Sequence, residues 1–503
     1  MNEIEDTFMV EKIESNSEKE IGPAWVGIKE NHDSKIIGDF GISPASRVRP
    51  VTSSESLIPL LVSMVDSAVE VVCVSTFLLQ RSEFTDSLLR ARGRGVRVYI
   101  LTAGEEDLKL TDEDGSPASD RVREFRQLLS SISDRVFLRT ADFHAKFVLV
   151  DPNSNKPKGF MTTCNLTADA MSGYNKELFV TLTDEEVYSF FCQFAEGIWK
   201  MSRHELKGGR LQELEEKRFV PETQIPLPTH PATLSSQKSL NEEIKKLITS
   251  ARRSVEISAW TFTDEVDIPD LLMDRLSEGI KVKVYCRPNY LNGAVLSKLA
   301  AKGAKVLAHE RFHAKMIAVD GERSLVTTAN FAKHGLDDGF ETGVLLREND
   351  TKHLLRILSQ WENECKWELS QSQKVKSISG TVKIIDFKLQ EIREVVIEEE
   401  KIVNKPDIKL ENVMREEELP FRTGIQESQA DKIYRQLRYR YNVFQPHLPK
   451  DVSKVKDSKE KFDVFKLKSS EELFVPISLW DELDEARKLA MRINAKVVKN
   501  KKD

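Results

Sequence analysis

The sequence predicts an α/β protein whose main body consists of two similar half-domains. Three observations support this fold class. The stretch from about residue 53 to 182 resembles the stretch from about residue 239 to 346, so the chain contains an internal duplication. Each copy alternates helical periodicity with short apolar runs that are typical of buried strands. The two copies also carry the same polar residues at matching positions.

Each copy follows the β-α-β order of an α/β fold. A glycine, Gly95 or Gly279, ends the second helix of each copy and precedes an alternating apolar strand. A further helix then leads to the strand that contains the shared polar residues. In the two copies, the predicted elements are helices over 56–67 and 240–251, strands over 69–75 and 255–260, helices over 86–92 and 268–278, strands over 96–100 and 280–285, and helices over 119–129 and 294–302.

The duplication and the composition divide the chain into five regions. Four prolines among polar residues mark a connector between the copies, and the repeat pattern stops after about residue 367. The predicted regions are an N-terminal extension (1–45), a first half-domain (46–207), a linker (208–237), a second half-domain (238–369) and a C-terminal accessory α+β region (370–503).

Composition limits the cellular setting that we expect. The 503 residues carry a formal net charge of −6, so a surface for nucleic acid would have to be local. The acidic N-terminus lacks the features of a secretory signal, and no apolar run approaches the roughly 20 residues of a membrane span. Five separated cysteines show no spacing of a zinc site. We therefore expect a cytoplasmic protein without integral membrane association.

The shared polar residues suit chemistry on a phosphodiester. That anion repels nucleophiles, so a site must supply a nucleophile, cations for the non-bridging oxygens and an acid for the leaving alkoxide. Histidine, lysine and asparagine in two matched sets can provide all three. The sets are His144, Lys146, Asp151, Asn165 and Glu177 in the first copy, and His313, Lys315, Asp320, Asn330 and Glu341 in the second.

The spacing His-x-Lys-x-x-x-x-Asp, followed by a Thr-Thr-x-Asn segment and a later glutamate, resembles the phospholipase D superfamily over roughly residues 50 to 365. The resemblance implies two phospholipase D-like half-domains related by pseudo-twofold symmetry, with one site at their seam. It also implies a phosphohistidine intermediate that needs neither metal ion nor cofactor. The family's Gly-Ser is replaced by Thr162-Thr163 and Thr327-Thr328, which keep a hydroxyl group but add a branched β-carbon.

The resemblance also implies a role for each residue. His144 would be the nucleophile and His313 the general acid, although the similar copies leave this order open. The lysines and asparagines would hold the phosphoryl oxygens. A carboxylate, from Glu177 or Glu341, would fix the tautomer of each imidazole. Asp151 and Asp320 would support the local fold. For a lone histidine the structural interpretation would be the better one, but the duplication of the whole set favours catalysis.

The substrate is the open part of this interpretation. We expect a nuclease with nucleic acid as its substrate and partner, partly because one tail segment interleaves aromatic residues with Lys432, Arg435, Arg438 and Arg440. A solvated amphipathic helix explains that segment at least as well, and the tail could bind a protein partner instead. The alternative function is a phospholipid hydrolase or phosphatidyl transferase. A second alternative is an inactive pair in a nucleic-acid-binding or scaffold protein.

Overall fold

The structure is a computed structural model, and it describes residues 11–14, 20–28, 46–103, 120–214, 225–374, 380–387 and 391–398, together with four short strands beyond residue 450. The chain divides into two compact units, Met1–Lys401 and Ile402–Asp503. Each unit is described by itself.

The first half alternates strands and helices as predicted. Three short strands come before it: β1 (Glu11–Glu14), β2 (Glu20–Ile21) and β3 (Ala24–Gly27). Its elements are β4 (Val48–Val51), α1 (Leu57–Asp66), β5 (Val71–Ser75), α2 (Glu83–Gly93), β6 (Arg97–Thr102), α3 (Asp120–Ile132), β7 (Phe137–Thr140), β8 (Phe147–Val150), β9 (Lys158–Thr162), α4 (Ala168–Met171), β10 (Glu177–Thr181), α5 (Asp184–Glu196), a π-helical turn (Gly197–Met201), β11 (His204–Lys207) and β12 (Arg210–Glu213).

The second half repeats this order from its first long helix onward. Its elements are β13 (Ala232–Thr233), α6 (Ser239–Thr249), β14 (Ser254–Ser258), α7 (Ile268–Ser277), β15 (Lys281–Cys286), α8 (Gly293–Ala301), β16 (Lys305–Ala308), β17 (Met316–Val319), β18 (Arg323–Thr327), a π-helical turn (His334–Asp338), β19 (Glu341–Arg347), α9 (Glu348–Asn363) and β20 (Trp367–Ser370). Three strands follow it, β21 (Gln373–Lys374), β22 (Gly380–Asp386) and β23 (Glu391–Glu398).

Each half is built on a mixed sheet, and the two sheets share one topology. Six equivalent strands run β7-β6-β5-β8-β9-β10 across the first sheet and β16-β15-β14-β17-β18-β19 across the second. The first sheet also contains β11 and β12 beside β7 and β4 beside β10. In both sheets the first three strands are parallel and the next three are antiparallel. The predicted α/β fold with two duplicated half-domains is confirmed.

The turn after the second helix of each half shows why the sequence folds this way. Gly95 and Gly279 adopt φ angles of 91° and 83°, in the left-handed region that glycine enters at little cost. Each glycine lets the chain leave the helix and enter the parallel strand beside β5 or β14. The predicted helix ends at these two residues are therefore confirmed.

Strands from outside the predicted half-domains extend the second sheet. Strand β3 pairs with β20 and β22, and β23 pairs with β22 and β1. Residues 24–27, 380–386 and 391–398 thus continue the sheet beyond residues 238–369, although they were expected in the N-terminal extension and the accessory region. These strands cover a sheet edge that β20 would otherwise leave open to pairing.

A large part of the core lies between the two sheets. One apolar cluster contains buried side chains from both halves, including Phe147, Phe190, Phe312 and Trp361. The rings of Phe147 and Phe340 meet edge to face, with centroids 6.2 Å apart. Because this cluster joins the sheets, it holds the motif strands β8 and β17 in one fixed relation.

The second unit is described only through short strand pairs. Strand β24 (Val452–Val455) pairs antiparallel with β25 (Val464–Leu467), and β26 (Phe474–Val475) pairs parallel with β27 (Lys496–Val497). Over the residues that the structure describes, no helix combines the length and the apolar character that crossing a membrane requires.

Candidate active site

The two histidine motifs are held by the backbone of the opposite half. The carbonyl of Phe340 accepts hydrogen bonds from the amides of His144 (3.0 Å) and Ala145 (2.7 Å). In the mirrored arrangement, the carbonyl of Lys176 accepts from His313 (3.2 Å) and Ala314 (2.8 Å). Each motif is therefore registered against the residue that immediately precedes the other half's glutamate.

The histidine–glutamate pairs cross between the halves. Nδ1 of His144 lies 2.8 Å from Oε1 of Glu341, and Nδ1 of His313 lies 2.5 Å from Oε1 of Glu177. Both glutamate side chains are buried. The four residues thus form one site to which each half contributes a histidine and the carboxylate of its neighbour's histidine.

The glutamates fix the tautomer of the histidines. Burial by itself would raise the pKa of Glu177, but His313, Lys315 and the Thr163 hydroxyl outweigh it and lower that pKa. The pKa of Glu341 is lowered against its burial in the matching way, chiefly by His144. Because an ionised carboxylate can only accept, Nδ1 must donate its hydrogen, and Nε2 keeps its lone pair.

Both imidazoles are neutral at neutral pH before substrate enters. Burial, followed by the charge of Lys146, lowers the pKa of His144 although Glu341 opposes this. For His313, burial is again the largest cause, and the pKa falls to about 4. The side chains still expose 21% and 16% of their surface, which leaves them accessible to a ligand. A bound anion would raise both pKa values again.

The two lysines lie beside the histidine backbones. Nζ of Lys146 donates to the carbonyl of His144 at 2.5 Å, and Nζ of Lys315 donates to that of His313 at 3.0 Å. Burial lowers the pKa of both lysines, that of Lys315 to about 7, although Glu177 and Glu341 oppose the shift. A phosphodiester bound near the lysines would add negative charge and raise both pKa values, which favours the protonated forms.

The threonines that replace the family's Gly-Ser hold the two glutamates. The Thr163 hydroxyl donates to Oε2 of Glu177 at 2.6 Å and accepts from the amide of Leu178 at 2.9 Å. In the second half, the Thr328 hydroxyl donates to Glu341 and accepts from the amide of Thr342 at 3.1 Å. Each carboxylate is therefore fixed between a threonine of its own half and a histidine of the other.

Substitution of Thr163 measures how much its hydrogen bond to Glu177 contributes to activity. We expect Thr163→Val to lower kcat about tenfold or more, because a hydrogen bond to a charged group contributes roughly 1.5–3 kcal/mol. Thr163→Ser keeps the hydroxyl and should retain most of the activity. Steady-state kinetics of both variants test this, and equal losses for serine and valine would contradict it.

The two asparagines occupy matching positions, each three residues after the end of β9 or β18. In both Asn165 and Asn330, the Oδ1 atom is buried without a hydrogen-bond partner in the protein. Rotation of the amide by 180° would bring Nδ2 to the same position. A buried polar atom without a partner is costly, so the matched pair indicates where a ligand completes the site.

The two motif aspartates lie away from the histidines and hold the start of β5 and of β14. The carboxylate of Asp151 accepts from the amides of Val69, Glu70 and Val71, each at 2.8 Å. Asp320 accepts from three consecutive amides, those of residues 252–254, at 2.7–3.2 Å. Both aspartates adopt a positive φ, 48° and 57°, which directs the carboxylate back onto this turn.

Asp320 should make folding stability depend on pH. Burial would raise its pKa, but the three amide hydrogen bonds and Arg253 lower it. A carboxylate with a lowered pKa in the folded state stabilises the protein above its unfolded pKa of about 3.9 and loses that contribution as the pH falls through the folded value. Urea denaturation should show Asp320→Asn destabilised at pH 7, with the difference from wild type shrinking below about pH 4. Asp169→Asn, at an exposed side chain of α4, is the control. A pH-independent difference would contradict the assignment.

Three residues near the histidines were not anticipated from the sequence. The ring of Phe77 lies 4.8 Å from that of His144, and Trp260 lies 5.6 Å from His313. Phe77 stands two positions after the end of β5, and Trp260 stands two positions after the end of β14. Aligning the two copies would therefore have revealed this pair. Arg287 donates to the carbonyl of Phe312 (2.7 Å) and to Asn175 (2.8 Å). The second half alone carries this arginine, because Ala103 occupies the matching position in the first.

The fold and the paired histidine, lysine and glutamate residues define an enzyme that acts on phosphodiester bonds. A family model described as the PLD-like domain of cardiolipin synthase matches residues 61–199 and 244–366, and these segments include both sets of site residues. The chain belongs to the phospholipase D superfamily.

Curated and solved relatives resemble parts of the chain. The cardiolipin synthase of Geobacillus kaustophilus is 32% identical over 127 residues, and that of Geobacillus thermodenitrificans is 31% identical over 127 residues. Each match covers 23% of this chain and 25% of the relative, so the chain spans about a quarter of the length of these proteins. The crystal structure of phosphatidylserine synthase from Haemophilus influenzae covers 71% of this chain and 90% of that chain, with 12% identity and a TM-score of 0.47.

These comparisons correct the prediction of a nuclease. The matching family model and both curated relatives are named for cardiolipin synthase, so the nuclease prediction is wrong and the phospholipid alternative is the better one. Nucleic acid as substrate and partner is wrong for the same reason. The motif residues suit chemistry on the phosphodiester itself, which nucleic acids and phospholipids share, and therefore could not distinguish the two. Lys432, Arg435, Arg438 and Arg440 lie outside the described residues.

Proposed function

We propose that this protein is a phosphatidyl transferase that acts on phospholipids through a phosphohistidine, with hydrolysis of the same bond as the alternative. The observation that carries the proposal is the match of the cardiolipin synthase domain model to both halves. That match includes all eight residues proposed to act on the substrate. The crossed histidine–glutamate pairs support it, because both histidines then present Nε2 to one ligand.

Substrate binding would rest on the two lysines and the two asparagines. Nζ of Lys146 and Nζ of Lys315 each donate to the backbone carbonyl of the histidine of their own motif, so their charges would meet the non-bridging oxygens of a phosphate bound between the two histidines. Asn165 and Asn330 would add amide hydrogen bonds in a water-poor setting, where such bonds are strong. Binding of the anion raises the pKa values that burial had lowered, and this leaves His313 able to hold a proton.

In the first step, Nε2 of His144 attacks phosphorus. A phosphorus–nitrogen bond forms while the bond to the departing alcohol breaks, and Nε2–H of His313 gives its proton to that oxygen. Glu177 stabilises the imidazolium of His313 beforehand, whereas Glu341 stabilises the positive charge that develops on His144. The lysines offset the negative charge that builds up on the phosphoryl oxygens.

In the second step, an acceptor hydroxyl gives its proton to His313 and attacks the phosphohistidine. The phosphorus–nitrogen bond breaks and His144 returns to its neutral form, so the cycle needs no external reactant beyond the alcohol. A hydroxyl on a second phospholipid yields a phosphatidyl transfer product. Water in the same place yields hydrolysis.

Phosphatidylglycerol provides a direct test, because it carries both a phosphatidyl group and a free hydroxyl. The purified protein is incubated with this lipid in detergent micelles, and the products are identified by mass spectrometry. Cardiolipin with released glycerol supports the transferase, and phosphatidic acid with glycerol supports the hydrolase. The proposal fails if wild type forms no more lipid product than the His144→Asn variant.

A further inference from the structure

Exposed apolar side chains occur in the segments that surround Arg287 and its hydrogen-bond partner Asn175. Among the described residues, Leu291 exposes 65% of its surface, Tyr174 exposes 59% and Phe387 exposes 42%. We call Tyr174, Tyr290, Leu291 and Phe387 the apolar rim. Exposed apolar groups that lie together commonly mark a surface that contacts another molecule or a membrane.

Arg287 connects the apolar rim to the site from two directions. Its Nε donates to the carbonyl of Phe312, next to His313, and its Nη2 donates to Asn175, next to Tyr174. Leu291 follows Arg287 by four residues in the loop between β15 and α8. The rim therefore lies close to one side of the paired histidines.

The loop that carries Leu291 is anchored. The buried Asn292 accepts from the amide of Phe262 at 2.9 Å and donates to the carbonyl of Trp260 at 2.7 Å. The Tyr290 ring lies 6.4 Å from that of Phe387. Gly293 fits so closely that an added Cβ would be 2.9 Å from the Ile385 side chain. Leu291 is thus held outward on a fixed turn and cannot fold back into the core.

The composition of the rim fits the interface of a bilayer. Tyrosine combines an apolar ring with a polar end that suits the headgroup region, and leucine and phenylalanine add apolar area. Arg311 stacks on Tyr174 with 4.8 Å between guanidinium and ring centre, and it brings a positive charge to the same surface. Anionic lipid headgroups attract such a charge.

We propose that the apolar rim and Arg311 contact the surface of an anionic phospholipid bilayer and thereby hold the His313 side of the site over a lipid headgroup. This inference rests on the proposed function for its substrate class. It adds the surface and the residues through which the enzyme reaches lipid in a membrane.

Vesicle flotation of the full chain tests the rim. The vesicles contain phosphatidylcholine alone or equal parts of phosphatidylcholine and phosphatidylglycerol, and binding is measured in the His144→Asn background to prevent turnover. We expect Leu291→Glu to raise the lipid concentration for half-maximal binding about tenfold or more. The substitution removes an apolar group that the membrane would bury and adds a charge that the anionic headgroups repel. Arg311→Met should weaken binding several-fold, and only to the anionic vesicles.

Leu227→Glu is the matched control, because Leu227 exposes 70% of its surface on the connector. Equal vesicle binding by the Leu291→Glu and Leu227→Glu variants would contradict the proposed contact between the apolar rim and the bilayer. When His144 is present, Leu291→Glu should also keep wild-type turnover of a water-soluble aryl phosphodiester. Lost turnover of that soluble substrate would show that Leu291 does more than contact the membrane, and this would contradict the proposal. Because vesicle binding is read without catalysis, absence of a lipid product in the earlier experiment tests the proposed function separately.

Discussion

His144→Asn is expected to abolish release of the leaving group from phospholipids and from activated aryl phosphodiesters alike, whereas His313→Asn should abolish this first step only for phospholipids. A p-nitrophenolate leaving group departs without protonation, so it needs the nucleophile but not the acid. With phospholipid, the alkoxide must be protonated, and loss of either residue should lower kcat by about a thousandfold or more. This pair of substrates therefore assigns the two histidines their separate roles.

The time course of p-nitrophenolate release from the aryl substrate separates the roles of the two histidines more clearly. Without His313, the second step lacks its base, and we expect one equivalent of p-nitrophenolate per protein in a rapid burst followed by slow turnover. His353→Asn, a histidine of α9 outside the site, should behave as wild type. If His144→Asn gives the burst and His313→Asn does not, the proposed order of the two residues is reversed.

The repeated architecture was predictable because its signals are local. The glycines at 95 and 279, the alternating strands after them and the apolar runs after Lys146 and Lys315 each reflect the periodicity of a short segment. Duplication doubled every signal and placed the histidines at equivalent strand entrances. Only the packing of the two halves against each other was left for the structure to show.

The partner of each histidine was not predictable from such signals. Glu177 and His313 are 136 residues apart, and only packing of the two sheets brings them within hydrogen-bond distance. The pairing of the strands at 24–27, 380–386 and 391–398 with the second sheet was not predicted for a similar reason, because they join a sheet edge that no local pattern reveals. Substrate class was missed because the motif residues suit a phosphodiester, which nucleic acids and phospholipids share.

Glu177→Gln is expected to behave like a weakened His313→Asn, and Glu341→Gln like a weakened His144→Asn. The reason is the crossing of the pairs, since each carboxylate holds the histidine of the other half. Loss of the Glu177 charge lowers the pKa of His313 further, because that charge is what raises it. The alkaline limb of the kcat profile should then move to lower pH, and kcat on phospholipid should fall about 100-fold.

The aryl substrate shows whether each glutamate acts on the histidine of the other half or on that of its own half. Glu177→Gln should leave the nucleophilic burst close to that of wild type, while Glu341→Gln should slow it, because only the second variant disturbs His144. The double variant Glu177→Gln/His313→Asn should be no worse than His313→Asn alone, since both changes act on one group. If instead Glu177→Gln slowed the burst and added to the effect of His313→Asn, then Glu177 would serve the histidine of its own half. The halves would then be separate sites, and a chain with one intact half would retain the first chemical step.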